Sequence, residues 1–260
     1  MNLLELGILA LVEGVCDIVP IDSSAHAVIV SRLIGLRAGG LAPMIHLGAA
    51  LALAFYFWRE VGAIFSGLWK LRKARIEAGT RLLAKLLVVA LPFLLLQGDV
   101  GGIALPKLAS LFWIGVITIV CAVVMLFADR LSLTVKRIEH IGFLTSLAIG
   151  VAQIASLITG IGRLPAALIT ARLFGMERSA AYKFVLLGSL PILLVEAVAG
   201  LAQGGGRHPG FSDLLSFALT FILVLVALPI AFSLIRRAGL LPFALYRLLF
   251  GVILVGLGLL

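Results

Sequence analysis

The chain has 260 residues, of which 62% are hydrophobic and 13% charged, with a mean hydropathy of +1.22. Soluble domains carry about 25% charged residues, so a water-soluble core cannot absorb this much apolar surface. The net charge of +9 would suit a nucleic-acid binder in a soluble chain. Here the basic residues lie in loops between apolar runs, the pattern that orients a membrane protein, and no nucleic-acid partner is expected. At about 20 residues per spanning helix the length admits roughly six to eight membrane elements, and runs of helical length favour helices over a barrel. The expected fold is all-α: a polytopic membrane protein, one membrane domain over 1–260, embedded in the bilayer.

In chain order, the first apolar segment, about Leu3–Gly35, begins without the basic start and small-residue cleavage site of a secretory signal and holds Glu5 and Glu13, so it reads as mature structure. It is interrupted by Asp17, Pro20, Asp22, Ser23, Ser24 and His26. Uninterrupted spans follow at Ala42–Trp58, Leu82–Gly98 and Leu108–Phe127. A second interrupted segment, Gly142–Gly175, carries Thr159, Gly160, Gly162, Arg163 and Pro165 at its centre, and three more spans follow at Tyr182–Leu201, Leu214–Leu234 and Leu240–Leu259. Each interrupted segment reads as two half-helices joined by a turn, which hydrocarbon tolerates only where the turn is buried in protein or lines a wet cavity. Cys16 and Cys121 lie in apolar stretches without metal-ligand spacing and read as buried spectators.

The loop after the first span carries Arg59, Lys70, Arg72, Lys73, Arg75 and Arg81, the densest basic cluster, and should be cytoplasmic. Alternation then puts Arg130, Lys136, Arg137, Arg236 and Arg237 inside, and Arg37, Lys107 and Arg207 outside. Both termini come out external, provided that each interrupted segment is re-entrant. His46, His140 and His208 have no partner at matching spacing, and Gly204–Gly206 reads as a flexible outer loop.

A shift of 140 residues superposes Ala27-Val-Ile-Val-Ser-Arg-Leu-Ile-Gly35 on Ala167-Leu-Ile-Thr-Ala-Arg-Leu-Phe-Gly175 and Leu47-Gly48 on Leu187-Gly188; a shift of 136 aligns Pro106 with Pro242 and Gly115-Val-Ile with Gly251-Val-Ile. The expectation is two repeats, 1–127 and 142–260, each one re-entrant hairpin plus three spans. An odd number of crossings inverts the second copy. Inverted repeats with broken helices place a binding site near the midplane, where half-helix N-termini offer free N–H groups to anions.

Glu13 and Asp17, spaced i,i+4, share a helix face. Two such carboxylates repel unless a divalent metal or a basic group lies between them, one is protonated, or both reach a surface. Asp22-Ser23-Ser24-Ala25-His26 follows Pro20 directly: a serine near a histidine can be activated by proton removal, and histidine can itself attack phosphorus, whereas the bland reading is a polar turn with capping serines. Arg163 pairs with Ser23 under the repeat shift; its fork suits bidentate phosphate binding or a counter-ion role to Glu13, Asp17 or Asp22. Gln153, the mate of Glu13, is placed to hydrogen-bond a ligand or the facing backbone.

Glu13-Gly14-Val-Cys-Asp17-Ile-Val-Pro20-Ile-Asp-Ser23-Ser24-Ala-His26 is similar to the E-G-x-T-E-F-L-P-[IV]-S-S-T-G-H signature of the undecaprenyl-diphosphate phosphatases, the bacitracin-resistance membrane phosphatases. Gln153 through Arg163, Leu47-Gly48 and Leu241-Pro-Phe-Ala-Leu-Tyr-Arg247 extend the resemblance over nearly the whole chain. It implies a multi-pass enzyme of the bacterial inner membrane that removes the terminal phosphate of a C55 polyprenyl diphosphate, giving the monophosphate carrier for cell-envelope synthesis. By position it implies a divalent cation, magnesium or calcium, on Glu13 and Asp17, Ser23 or His26 as nucleophile and base, and substrate contacts from Arg163, Ser24 and Gln153. Nothing in the sequence sets an oligomeric state.

The chain departs from the family pattern in places. The second signature, P-G-x-S-R-S-G, reads Thr159-Gly-Ile-Gly162-Arg163-Leu164-Pro165, without its serines; Asp22 replaces a serine, Ala25 a glycine, and Asp17 a glutamate. Asp22 would repel a diphosphate unless it binds metal or meets Arg163. The alternative is a divergent non-catalytic member that binds or translocates a polyprenyl-phosphate or another anionic lipid.

Overall fold

A computed structural model describes residues 2–71, 76–97, 110–132, 136–203 and 209–259. Arg72, Lys73, Arg75, Pro106, Lys107, Gly204–Gly206, Arg207 and His208, which entered the expectations above, lie outside the described residues. The described chain is α-helical, with a single isolated parallel bridge between Lys136 and Met176.

Helices α1 (Leu3–Leu9) and α2 (Cys16–Ile18) are joined by a π-helical stretch, Ala10–Val15, and α3 (Ser23–Ile34) follows a break at 19–22. The six uninterrupted spans are α4 (Ala42–Tyr56) together with the 3-10 turn Gly39–Leu41 before it, α6 (Ala78–Gln97), α7 (Leu111–Leu131), α10 (Arg178–Gln203), α11 (Phe211–Ala238) and α12 (Leu241–Leu259), all long and apolar enough to cross a membrane. The second interrupted segment is α8 (Phe143–Gln153), a 3-10 turn over Ile154–Leu157 and, after a turn, α9 (Arg163–Leu173). One element was not foreseen. Residues 59–71, read as part of a basic loop, belong to a helix, α5 (Trp58–Leu71), with Trp58 and Phe65 exposed. Its charges conceal an amphipathic period. α6 begins at Ala78, earlier than hydropathy places it, and so includes Arg81.

Tight packing follows from small residues. α7 and α12 run along each other, and a methyl group on Gly115 would come 2.6 Å from the carbonyl oxygen of Gly251, so only glycine permits that approach. α11 packs on α4 and on the π-helical stretch, while α6 packs on α8 and α10. Leu6 and Leu9 of α1 share an apolar cluster with Ala38, Leu41 and Ile45 at the start of α4. The residues flanking α8 and α9 also meet: Lys136 N–H donates to Gly175 O and Glu177 N–H donates to Lys136 O, each at 2.9 Å.

Asp129, at the end of α7, draws four elements to one end of the bundle. It accepts from Arg178 Nε at 2.8 Å and Leu240 N–H at 3.2 Å, and it pairs with Arg172 Nε at 3.2 Å. Arg172 is only 1% exposed and also donates to the carbonyls of Asp129 and Met176. Removing one partner of a buried ion pair leaves the other charge uncompensated. Asp129→Ala should therefore lower stability by about 3–5 kcal/mol, read as a large fall in unfolding temperature in detergent. Arg178→Ala, which removes a half-exposed partner, should cost clearly less; equal falls would contradict this ordering.

Candidate active site

In a low-dielectric interior, broken helices must find partners for the backbone groups that they free. The two breaks in this chain supply one another. Asp22, 3% exposed, is the N-cap of α3, accepting from Ser24 N–H at 3.1 Å and Ala25 N–H at 3.2 Å. The same carboxylate accepts from Ser24 Oγ at 2.8 Å and, across the bundle, from Gly160 N–H at 2.6 Å. Two side chains from the spans complete the arrangement. Tyr182 of α10 donates its hydroxyl to Ile18 O at 2.7 Å, and Arg247 of α12, 1% exposed, donates to Gly160 O at 2.6 Å and Ile161 O at 3.0 Å.

Gly162 fits this junction on two counts. Its φ is +80°, and a methyl group there would lie 3.1 Å from Asp22 Cα and Ile21 O.

The second connection is ionic. Arg163, the first residue of α9, donates through Nη2 to Asp17 Oδ2, and its Nη1 lies 3.5 Å from Glu196 Oε2. Ser23, the first residue of α3, donates its hydroxyl to Asp17 Oδ1 at 3.1 Å. Asp17 thus joins Ser23 to Arg163 across the breaks. His46 Nδ1 lies 3.7 Å from the same Glu196 oxygen, and the Arg163 guanidinium stands 5.4 Å from the centre of the Phe93 ring. Glu13 sits in the π-helical stretch, a distortion frequent at functional sites. Asp17 and Glu196 are the charges acting on it, and it has no ion-pair or hydrogen-bond partner among the described residues.

The remaining expected residues are turned elsewhere. His26 Nδ1 donates to Asp22 O at 2.6 Å, which places the Tyr246 hydroxyl, also at 2.6 Å, as donor to Nε2; the ring stacks on Phe250 at 4.2 Å. His26 therefore shares a helix with Ser23 but not a hydrogen bond. Gln153 Nε2 donates to Val89 O at 3.0 Å, the facing-backbone option. Ser24 is engaged with Asp22.

The profile of the family described as bacitracin resistance protein BacA matches residues 6–253. The chain belongs to the BacA family. Its relatives include the undecaprenyl-diphosphatase 1 of Rhodospirillum rubrum, 32% identical with 99% of this chain and 95% of the relative covered. The undecaprenyl-diphosphatase of Desulforudis audaxviator is 33% identical, with 100% and 99% covered, and that of Maricaulis maris is 31% identical, with 100% and 97% covered.

Within this BacA-family chain the departures from the signatures have structural reasons. Asp22 does not pair with Arg163; its charge is absorbed by four N–H and O–H donors. Pro165 lies in the first turn of α9, where its missing N–H would have had no helical partner. Three residues went unrecognised in the sequence. Glu196 is a lone carboxylate inside a 26-residue helix, without Pro or Gly beside it to flag a break. Its intramembrane position was the available signal. His46 carries no local signal, because its partner is 150 positions away in the chain. Tyr182 gave no signal at all.

Arg247→Ala would leave two break carbonyls without a donor. A stability loss of about 2–4 kcal/mol is expected, measured by thermal unfolding, with Arg247→Lys intermediate; an unchanged unfolding temperature would remove Arg247 from this role.

Proposed function

We propose that the chain is a membrane hydrolase that removes the terminal phosphate of undecaprenyl diphosphate, leaving the monophosphate carrier. The observation that carries this reading is the Ser23–Asp17–Arg163 array at two meeting helix N-termini, in a chain whose relatives are undecaprenyl-diphosphatases along their full length. Phosphoryl transfer asks a protein chiefly for alignment and charge neutralisation. The first turn of α9 has no side-chain cap, so its amides and Arg163 together make an anion seat. The long Arg163–Glu196 contact yields readily to a closer phosphate oxygen. Nothing found favours the non-catalytic alternative.

Ser23 is assigned as nucleophile. Its Oγ bonds to the terminal phosphorus while Asp17 takes its proton; the bridging P–O bond breaks, and the lipid monophosphate departs with that oxygen. Water then hydrolyses the phosphoserine, releasing inorganic phosphate. His26 is assigned to this second step, as the base that activates the water once Nε2 is released from Tyr246. Ser24 and Gln153 support the site through Asp22 and Val89 and reach the substrate only if those bonds open.

A divalent cation, magnesium or calcium, fits the residues present. Glu13, Asp17 and Glu196 set three carboxylates against one arginine before any diphosphate enters, and carboxylate oxygens are hard ligands. No group of three His, Cys, Asp or Glu is arranged around a metal position among the described residues, so an ion here would rest on two carboxylates and be completed by substrate phosphate. Glu13 and Asp17 would hold it; bound there, it supplies charge neutralisation.

The chain is further proposed to be two inverted repeats with re-entrant hairpins, 1–127 and 142–260, in the bacterial inner membrane. Supporting this, α1 and the start of α4 share one apolar cluster, whereas α8 and α9 start and end around the Lys136–Met176 bridge at the Asp129 end. The aligned glycines Gly115 and Gly251 touch each other. If the basic end is cytoplasmic, both termini are periplasmic. Glu196 lies about 27 Å along α10 from Arg178 but only about 10 Å before Gln203, so the site opens towards the periplasm.

Phosphate release from C55 diphosphate in detergent tests this reading. Ser23→Ala and Arg163→Ala should lose about a hundred-fold or more. The pair Glu13→Gln with Asp17→Asn should abolish the activity that added magnesium or calcium supports. His26→Ala should accumulate phosphoserine detectable after acid quench. Full activity in Ser23→Ala would overturn the nucleophile assignment.

A further inference from the structure

A pocket of about 460 Å³ lies at the basic end, far from the Arg163 site, between α5, α6, the 138–139 turn and α10. Its polar lining is Arg59, Arg81, Lys85 and Lys183 against Glu60 and Glu139. Lys183 is already neutralised by its ion pair with Glu60. Arg81 and Lys85 have no carboxylate within ion-pair distance among the described residues. They stand i,i+4 in the first two turns of α6. Like charges at that spacing repel, and the positive end of the helix dipole adds to the cost. An anion in the pocket reverses both terms.

The rest of the pocket indicates what carries the anion. Its other walls are apolar, including Ala63, Leu82, Ile138 and Leu187. Beside it, α5 exposes Trp58 and Phe65, side chains that settle at the headgroup level of a bilayer. We propose that this pocket binds the phosphate of an anionic phospholipid from the leaflet at the basic face, with Arg81 and Lys85 as its principal contacts and Arg59 at the rim. Free phosphate offers the same charge but no use for the apolar walls, and a zwitterionic lipid offers no net charge to the cations.

Native mass spectrometry of the full chain in detergent, titrated with phosphatidylglycerol or phosphatidylcholine, tests the proposal. Wild type should prefer phosphatidylglycerol. Arg81→Gln with Lys85→Gln should weaken that binding about ten-fold and leave phosphatidylcholine unaffected. Glu139→Gln, which removes a negative charge, should shift affinity the other way. Phosphate release by each variant should stay near wild type, which also reports that it has folded. Equal binding of the two lipids, an unchanged affinity in the double variant, or displacement of the lipid by millimolar inorganic phosphate would each overturn it.

Discussion

The ion pair between Asp17 and Arg163 is the contact on which the site depends. Each residue comes from a different broken segment, each stands beside a helix break, and neither charge tolerates isolation in a medium of low dielectric. Pairing them fixes the distance between the breaks. Ser23 is placed by its hydrogen bond to the same carboxylate, and Glu196 approaches the far side of the same guanidinium. Without this pair, the two half-helix N-termini would present like partial charges to one another.

A second layer of contacts allows the breaks to exist at all. Asp22, Tyr182 and Arg247 satisfy peptide groups that α2, α3 and the 158–162 turn cannot satisfy internally. The negative charge of Asp22 is thereby consumed in holding backbone. This separates two roles that are adjacent in the chain: residue 22 builds the junction, and residue 23 reaches across it to Asp17. The π-helical stretch before them sets Glu13 near Asp17, with no ion-pair or hydrogen-bond partner among the described residues, so the site is rich in carboxylate.

Hydropathy alone located the six spans, because a bilayer imposes a minimum apolar length on each. It missed α5, whose charged face dilutes the apolar one, and it started α6 late because Arg81 depresses the average in its first turn. The first polar turn was legible for the same reason that it is costly: Asp17, Pro20 and Asp22 have no cheap explanation inside an apolar run. Its internal wiring was not legible. Spacing along the chain suggested Ser23 with His26, yet helix geometry turns His26 to Tyr246 and Phe250 on α12, and Ser23 finds Asp17 on the other side of the break. Glu196, His46 and Tyr182 act on partners from 33 to 164 residues away in the chain, and no local pattern announces such contacts.

A double-mutant cycle on Asp17→Asn and Arg163→Gln, read by thermal unfolding in detergent, probes the joining of the two breaks without relying on activity. Each single variant strands a buried charge, so both should be destabilised, and the double variant should be more stable than the sum of the two losses by about 1 kcal/mol or more. Losses that simply add would contradict the account, because they would mean that the two breaks are held together by something other than this pair.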